Sequence, residues 1–199
     1  MRLMHRPAFV SIVLLGLGAV FGVQVSRAVD NEQPLYTETD LLFLQHMIVH
    51  HQQAIEMAAL VPERTEREAF VHYADYVARA QKAEIAVMQS LLDLAAERGL
   101  DIPEPHTLHG DPPMPGMLSS AQMAALGAAR GSEFERLWLE GMILHHEGAI
   151  EMARAQQLAQ LRDGRRPYGI DVLVEDIIED QRAEIAQMRR WLEEWGGSD

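Results

Sequence analysis

The chain carries the same histidine-bearing segment twice, and this duplication limits the possible folds more than any other feature. MIVHHQQAIEMA at Met47–Ala58 returns as MILHHEGAIEMA at Met142–Ala153, with nine of twelve positions identical. A second segment, QKAEIAVMQSLL at Gln81–Leu92, returns as QRAEIAQMRRWL at Gln181–Leu192, with seven of twelve identical. Two copies are too few for a solenoid, which needs about three repeats to cover its core. The duplication therefore predicts two similar halves packed together, each with a pair of adjacent histidines.

The first 28 residues have the pattern of an export segment. Basic residues precede an apolar run, Ala8–Val25, and the run is followed by the small-x-small sequence that ends at Ala28. These features favour a signal peptide cleaved after Ala28. A membrane anchor is the alternative, because 18 apolar residues lie at the short end of what spans a bilayer. Both interpretations predict an exported protein of the periplasm, cell envelope or extracellular space, with residues 29–36 as a linker.

The rest of the chain has helical patterning and no convincing strand. Apolar spacing, capping residues and helix breakers predict four long helices and one short helix, at about 37–61, 63–98, 120–130, 132–161 and 168–195. Prolines exclude regular structure from the first part of a connector, 99–131, which joins a half at 37–98 to a half at 132–195. Two helical hairpins joined by a long crossover predict an all-α, four-helix bundle domain over 37–195.

Two acidic residues lie at matching places near the start of the first helix of each half. Asp40 stands three residues after Thr37, and Glu135 stands three after Ser132, which is the spacing of a capping box. A carboxylate ligand to a metal is the other interpretation of Asp40 and Glu135. Capping is favoured, because the spacing already accounts for both residues.

Both adjacent histidines of each repeat flank the apolar face of a helix. At 100° per residue, Met47, His50 and His51 lie on neighbouring positions of that face. The second repeat places Met142, His145 and His146 in the same way. The second helix of each half offers a facing stripe, formed by Gln81, Glu84 and Met88 in one half and by Gln181, Glu184 and Met188 in the other. The pattern predicts four imidazoles in the core of the bundle.

Buried imidazoles need partners, because an unsatisfied buried group costs about 1 to 3 kcal/mol. One interpretation is a structural layer in which the histidines bond to Gln81, Glu84, Gln181 and Glu184. The other is a soft-metal site, because thioethers stand three and four residues from the imidazoles and this donor set selects copper, especially copper(I). The candidate ligands are His50, His51, His145 and His146, with Met47, Met142, Met88 and Met188. The metal interpretation is favoured over the structural one.

Other histidines and methionines offer weaker candidates. His46 stands four residues before His50 and could chelate with it, but Gly141 replaces it in the second repeat. The connector holds a possible second metal site formed by His106, His109, Met114 and Met117.

Composition excludes several classes of function. The chain has 199 residues and a formal net charge of −13, and loss of Arg2, Arg6 and Arg27 with the export segment makes the charge −16. This acidity argues against nucleic acid and anionic membrane surfaces as partners. Cysteine is absent, so soft-metal chemistry would depend on methionine and histidine. No catalytic triad, phosphate-binding loop or organic cofactor site is evident, and an enzyme is not favoured.

The repeats resemble a known family. The MIxHHxxAIxMA pattern followed by QxxEIxxM, together with MPGM at Met114–Met117 and LEGMILHHEGAIEMA at Leu139–Ala153, is similar to the domain-of-unknown-function family 305, and the likeness covers Thr37–Trp195. The resemblance implies a ferritin-like helical bundle, export from a bacterial cell, and copper-binding relatives. His46 is not part of the family pattern and takes no role from it. A ferritin-like di-metal oxidase would need more carboxylates than these helices offer, and a structural or protein-interaction bundle remains an alternative.

Overall fold

The fold is helical, as the sequence predicts. A computed structural model describes residues 34–103 and 114–196. These residues form five helices, α1 (Glu38–Ala59), α2 (Glu68–Glu97), α3 (Ser120–Ala128), α4 (Gly131–Arg162) and α5 (Ile170–Gly196), with a short 3₁₀ turn at Val61–Glu63. The all-α prediction is confirmed. None of the helices in the described ranges has the length and hydropathy needed to cross a bilayer, and the expected export segment lies outside those ranges.

The two repeats place α1 and α4 in equivalent positions at the centre. α1 packs against α2 and against α4, and α4 packs against α5, whereas α2 and α5 touch each other much less. The apolar side chains of these helices form one core that includes Met47, Met142, Met88 and Met188, all with 0% of their surface exposed. The histidine-bearing faces of α1 and α4 are therefore turned towards each other inside the bundle.

The two expected capping boxes have different outcomes. At the start of α1, the Thr37 hydroxyl accepts a hydrogen bond from the backbone N–H of Asp40, and the Asp40 carboxylate accepts one from the backbone N–H of Thr37. This box is confirmed. The box expected from Ser132 and Glu135 is wrong, because α4 begins one residue earlier, with Arg130 as its N-cap and no side-chain cap. Glu135 instead accepts hydrogen bonds from Thr65 and Arg67 in the loop between α1 and α2.

The second helix starts later than the sequence indicates. Spacing alone places its start at residue 63 or 64, but Val61–Glu63 closes a 3₁₀ turn and α2 begins at Glu68. The intervening residues contact both the connector and the second half of the chain. Arg64 donates to the carbonyl of Gly127 from Nε and Nη2, at 3.1 and 2.9 Å. The residues before α2 therefore make contacts with residues distant in sequence, which local spacing does not reveal.

Candidate metal centre

The four repeat histidines meet in the middle of the bundle. His50 and His51 on α1 and His145 and His146 on α4 each have 0% of their surface exposed. The ring centroids of His50 and His145 lie 3.9 Å apart, and the rings of adjacent histidines in each helix lie 6.4 and 6.0 Å apart. We call these four residues the histidine core. Its inner pair is His50 and His145, and its outer pair is His51 and His146.

Each outer histidine bonds to a glutamate on the flanking helix of its own half. His51 Nε2 lies 2.6 Å from Glu84 Oε2, and His146 Nε2 lies 2.5 Å from Glu184 Oε2. Glu184 is 4% exposed and the Glu84 side chain is 15% exposed, so both pairs are largely removed from water. The expectation that these glutamates face the histidines holds for both halves.

The glutamines expected to share this role do not bond to the histidines. Gln81 and Gln181 are both 1% exposed. Within the described residues, the side-chain oxygen of Gln81 and both amide atoms of Gln181 lack a hydrogen-bond partner. The buried histidine, glutamine and glutamate side chains therefore form only part of their hydrogen bonds with one another, which is uncommon for buried polar groups.

The inner histidines use backbone carbonyls, which sequence reasoning missed. His50 Nε2 lies 2.8 Å from the carbonyl oxygen of Pro115 in the connector, and His145 Nε2 lies 2.8 Å from the carbonyl oxygen of His50. A carbonyl acceptor is present at every residue, so no side-chain pattern identifies which one is used. In the sequence, this part of the connector is distinguished by the MPGM motif, which belongs to the family resemblance but does not indicate a contact with His50.

The connector reaches the histidine core because two glycines allow close contact. Met114–Met117 forms a turn closed by a 3.1 Å hydrogen bond from the Met117 N–H to the Met114 carbonyl, with Gly116 at φ +76°. Pro followed by a Gly of positive φ is the residue pattern of a type II turn. A Cβ on Gly148 of α4 would lie only 2.0 Å from the Pro115 oxygen, so the turn can lie here only against glycine.

The position of Gly148 also explains a difference between the two repeats. The equivalent residue in α1 is Gln53, whose side chain accepts from the Leu118 N–H at 2.7 Å and donates to the Leu118 carbonyl at 3.0 Å. One repeat therefore holds the connector with an amide, while the other makes room for it by lacking a side chain. The described connector residues 114–118 contact Gln53 on α1 and Gly148 on α4 in these different ways, which makes the two halves of the site unequal.

The two nitrogens of each core histidine differ in their hydrogen bonding. Nδ1 of His50, His51, His145 and His146 is buried and lacks a hydrogen bond within the described part of the chain. Leaving a buried polar atom unsatisfied costs about 1 to 3 kcal/mol. Four such atoms in one place are unusual for a core that has only a structural role.

Burial keeps three of the core imidazoles, those of His50, His51 and His145, neutral. Desolvation lowers the pKa of His50 and His51 to about 3 and lowers the pKa of His145 well below 6.5, and neighbouring imidazoles add to the effect in all three. Burial likewise raises the pKa of Glu84 to about 7, with the charge of Glu184 as the next cause. Neutral imidazole is the form that binds metals, so these histidines need not lose a proton to bind a metal at neutral pH.

The imidazole and thioether donors suit a soft metal, but the distances between the imidazole rings are not those of rings bound to one ion. Across residues 34–103 and 114–196, no three histidine, aspartate or glutamate side chains converge on one ion position. Metal–nitrogen bonds of about 2.0 to 2.1 Å would set two imidazole centroids on one ion roughly 5 to 6 Å apart. The inner pair is closer than this, at 3.9 Å. One ion shared by His50 and His145 therefore requires at least one ring to move.

The remaining candidates are Asp40, Glu135, His46 and the histidines and methionines of the connector. Asp40 and Glu135 are engaged by arginines. Met114 and Met117 are partly buried in the connector turn and His46 is partly buried on α1. The connector histidines His106 and His109 lie outside the described residues, so the second connector site stays a prediction.

Comparison with known proteins assigns the family. Residues 40–192 match the family described as "Domain of unknown function (DUF305)", so the chain belongs to this family. A DUF305 protein from Streptomyces coelicolor, named as a secreted protein, is 34% identical with a TM-score of 0.66, over 79% of this chain and 92% of that chain. A DUF305 fragment from Deinococcus radiodurans is 30% identical with a TM-score of 0.66, over 79% of this chain and 97% of that chain.

Solved structures of a metal-bound protein are also similar. CopM in its Cu(I)-bound form is 28% identical, with a TM-score of 0.59, over 81% of this chain and 99% of that chain. CopM has also been solved with Cu(II), with silver and in the apo form. No curated protein matches the chain.

Proposed function

We propose that the protein is an exported copper-binding or copper-buffering bundle that holds the ion in its histidine core. The observation that carries the proposal is the set of four buried imidazole Nδ1 atoms that have no hydrogen-bond partner among residues 34–103 and 114–196. The similarity to CopM, whose structures include Cu(I), Cu(II) and silver forms, supports the choice of metal. The ligands are His50, His51, His145 and His146, with Met47 and Met142 as thioether donors and Met88 and Met188 nearby.

The donor types favour copper over harder ions. Imidazole and thioether groups select soft ions, whereas Mg²⁺ and Ca²⁺ prefer oxygen. The chain's own residues prepare the site in three ways. Burial keeps the imidazoles of His50, His51 and His145 neutral. Glu84 and Glu184 orient the outer rings, and apolar side chains surround the histidines. When bound, copper would supply a redox-active soft cation; no catalytic role is assigned to it.

A structural polar core is the competing function. Each core histidine already has one hydrogen bond, and the inner rings are closer than a shared ion allows. This alternative explains the Nε2 contacts. It leaves the four unpartnered Nδ1 atoms without a role, and for that reason we favour metal binding.

Titration with copper(I) against a competing chelator tests the proposal. We expect the wild-type protein to compete for copper, and a variant with His50→Ala and His145→Ala to lose that competition while remaining helical by circular dichroism. His72→Ala is the matched control, because His72 is an exposed histidine on α2. Equal binding by the double variant and the control would assign copper to another site, and no binding by the wild type would favour the structural core.

We also propose that the chain is exported and that residues 1–28 are removed. Support comes from the basic and apolar pattern of these residues and from the secreted name of the Streptomyces coelicolor relative. Mass spectrometry of the protein isolated from native cell fractions tests this proposal. An N-terminus at Val29 in the soluble envelope fraction is the expected result. An intact Met1 in the membrane fraction would indicate the anchor, and an intact Met1 in soluble cytoplasm would contradict export.

A further inference from the structure

We infer that the core histidines bind metal through Nδ1, and that the Met114–Met117 turn is the positioning element that fixes this choice at His50. The inference rests on the proposed function, because it names the donor atoms of that same site. It adds Pro115, Gly116 and Gly148 to the residues on which metal binding depends.

The tautomer of each inner histidine follows from the chemistry of its partner. A carbonyl oxygen can only accept a hydrogen bond, so the nitrogen facing it must carry the hydrogen. His50 Nε2 faces the Pro115 carbonyl and His145 Nε2 faces the His50 carbonyl, each at 2.8 Å. A neutral imidazole has one N–H, so the lone pair lies on Nδ1 in both rings. These two lone pairs are buried and have no partner within the described residues.

The outer histidines also meet their partners through Nε2, and these partners are glutamate side chains. A glutamate oxygen that carries no hydrogen can only accept a hydrogen bond, and in metal sites a histidine commonly donates its second N–H to a carboxylate while the other nitrogen binds the ion. His51 with Glu84 and His146 with Glu184 have this arrangement at Nε2. In all four rings Nε2 therefore meets the partner and Nδ1 has none within the described residues, although two rings are held by side chains and two by the backbone.

The turn is built so that its middle carbonyl is available to His50. The hydrogen bond that closes the turn uses the Met114 carbonyl and the Met117 N–H, which leaves the Pro115 carbonyl free to accept from the imidazole. Two close contacts hold the turn against α4. A Cβ on Gly116 would lie 2.5 Å from the Leu144 carbonyl oxygen, and a Cβ on Gly148 would lie 2.0 Å from the Pro115 oxygen.

A purely structural turn would anchor the connector without affecting which nitrogen of His50 carries hydrogen. Long-range ¹H–¹⁵N correlation spectra of the apo protein at neutral pH separate these roles, because they report the protonated nitrogen of each histidine. We expect the Nε2–H form for His50 and His145 in the wild-type protein. Silver(I), which is diamagnetic and redox-inert, is the metal probe, and we expect its addition to shift the Nδ1 resonances of the histidine core.

The variant Gly148→Ala tests the positioning role. It forces the turn away from α4, so we expect mixed tautomers at His50, an unchanged tautomer at His145 and a silver affinity about tenfold lower, the size of effect typical of lost outer-sphere contacts. Gly127→Ala is the matched control, because a Cβ there meets no atom within 4 Å. If Gly148→Ala does not fold, Gln53→Ala displaces the turn more gently by releasing Leu118.

The outcomes separate the inference from the proposed function. Silver binding through Nε2, or an unchanged His50 tautomer in a folded turn variant, would overturn the inference and leave metal binding intact. Absence of silver and copper binding in the wild-type protein would overturn both. Nδ1 shifts in the wild type, together with loss of the single tautomer in the turn variant only, would support both.

Discussion

Arg165, in the loop between α4 and α5, binds the buried carboxylate of Asp40 at the start of α1, with 2.8 Å between Nη1 and Oδ2. Gln156 donates to the other carboxylate oxygen of Asp40 at 2.6 Å. The matching carboxylate of the second repeat, Glu135, receives Arg67 from the loop between α1 and α2 at 3.2 Å. Each half thus holds the first helix of the other through a loop arginine, and these contacts join the halves that together form the histidine core.

Removal of Arg165 should destabilise the fold far more than removal of an exposed arginine. The Arg165→Ala variant leaves the Asp40 carboxylate, 3% exposed in its side chain, with only part of its hydrogen bonding. Breaking a buried ion pair on one side costs about 3 to 5 kcal/mol, so we expect a decrease in unfolding free energy of that order in urea denaturation. Arg79→Ala is the control, because Arg79 pairs with Asp75 on the surface and such pairs contribute about 0 to 1 kcal/mol. Equal stability of the two variants would contradict this prediction.

The apo protein should lose stability as the pH falls below about 6.5. His50, His51 and His145 have folded-state pKa values far below that of an exposed histidine, so the unfolded chain takes up protons that the folded chain does not. Their contribution is complete above the unfolded pKa and is lost progressively towards pH 3. Glu84 has the opposite effect on the free energy of unfolding. Because its folded-state pKa is raised to about 7, its protonation stabilises the folded state as the pH falls from about 7 to 4.5. Three imidazoles outweigh this one carboxyl.

Urea denaturation of apo protein between pH 7.5 and 4.5 measures this dependence. The double variant His50→Gln and His145→Gln removes two of the three groups, so its stability should fall less steeply with decreasing pH. A slope equal to that of the wild-type protein would show that the inner imidazoles do not control the acid sensitivity.

The sequence predicted the parts of the site that depend on helical periodicity. Spacing placed His50 and His145 on buried faces and Glu84 and Glu184 opposite them. This succeeded because the position of a residue along a helix determines the face on which its side chain lies. Periodicity could not identify the Pro115 carbonyl, because backbone acceptors have no sequence signature. It also misassigned Glu135, since a capping box and a carboxylate bound by a distant loop share the same local spacing.

The outer glutamates should control metal affinity without controlling the fold. In Glu184→Gln, the carboxylate that accepts from His146 Nε2 is replaced by an uncharged amide, a weaker acceptor that can also turn its NH₂ group towards the ring. Loss of such a contact in a metal site typically lowers affinity by about 10- to 100-fold. We expect a decrease in that range in a copper(I) competition titration, with helicity retained by circular dichroism. Glu147→Gln is the matched control, because Glu147 lies on the same helix as His146 and forms only a half-exposed ion pair with Arg189. Copper affinity that is equal in the two variants would show that Glu184 serves the packing of the core and not the metal.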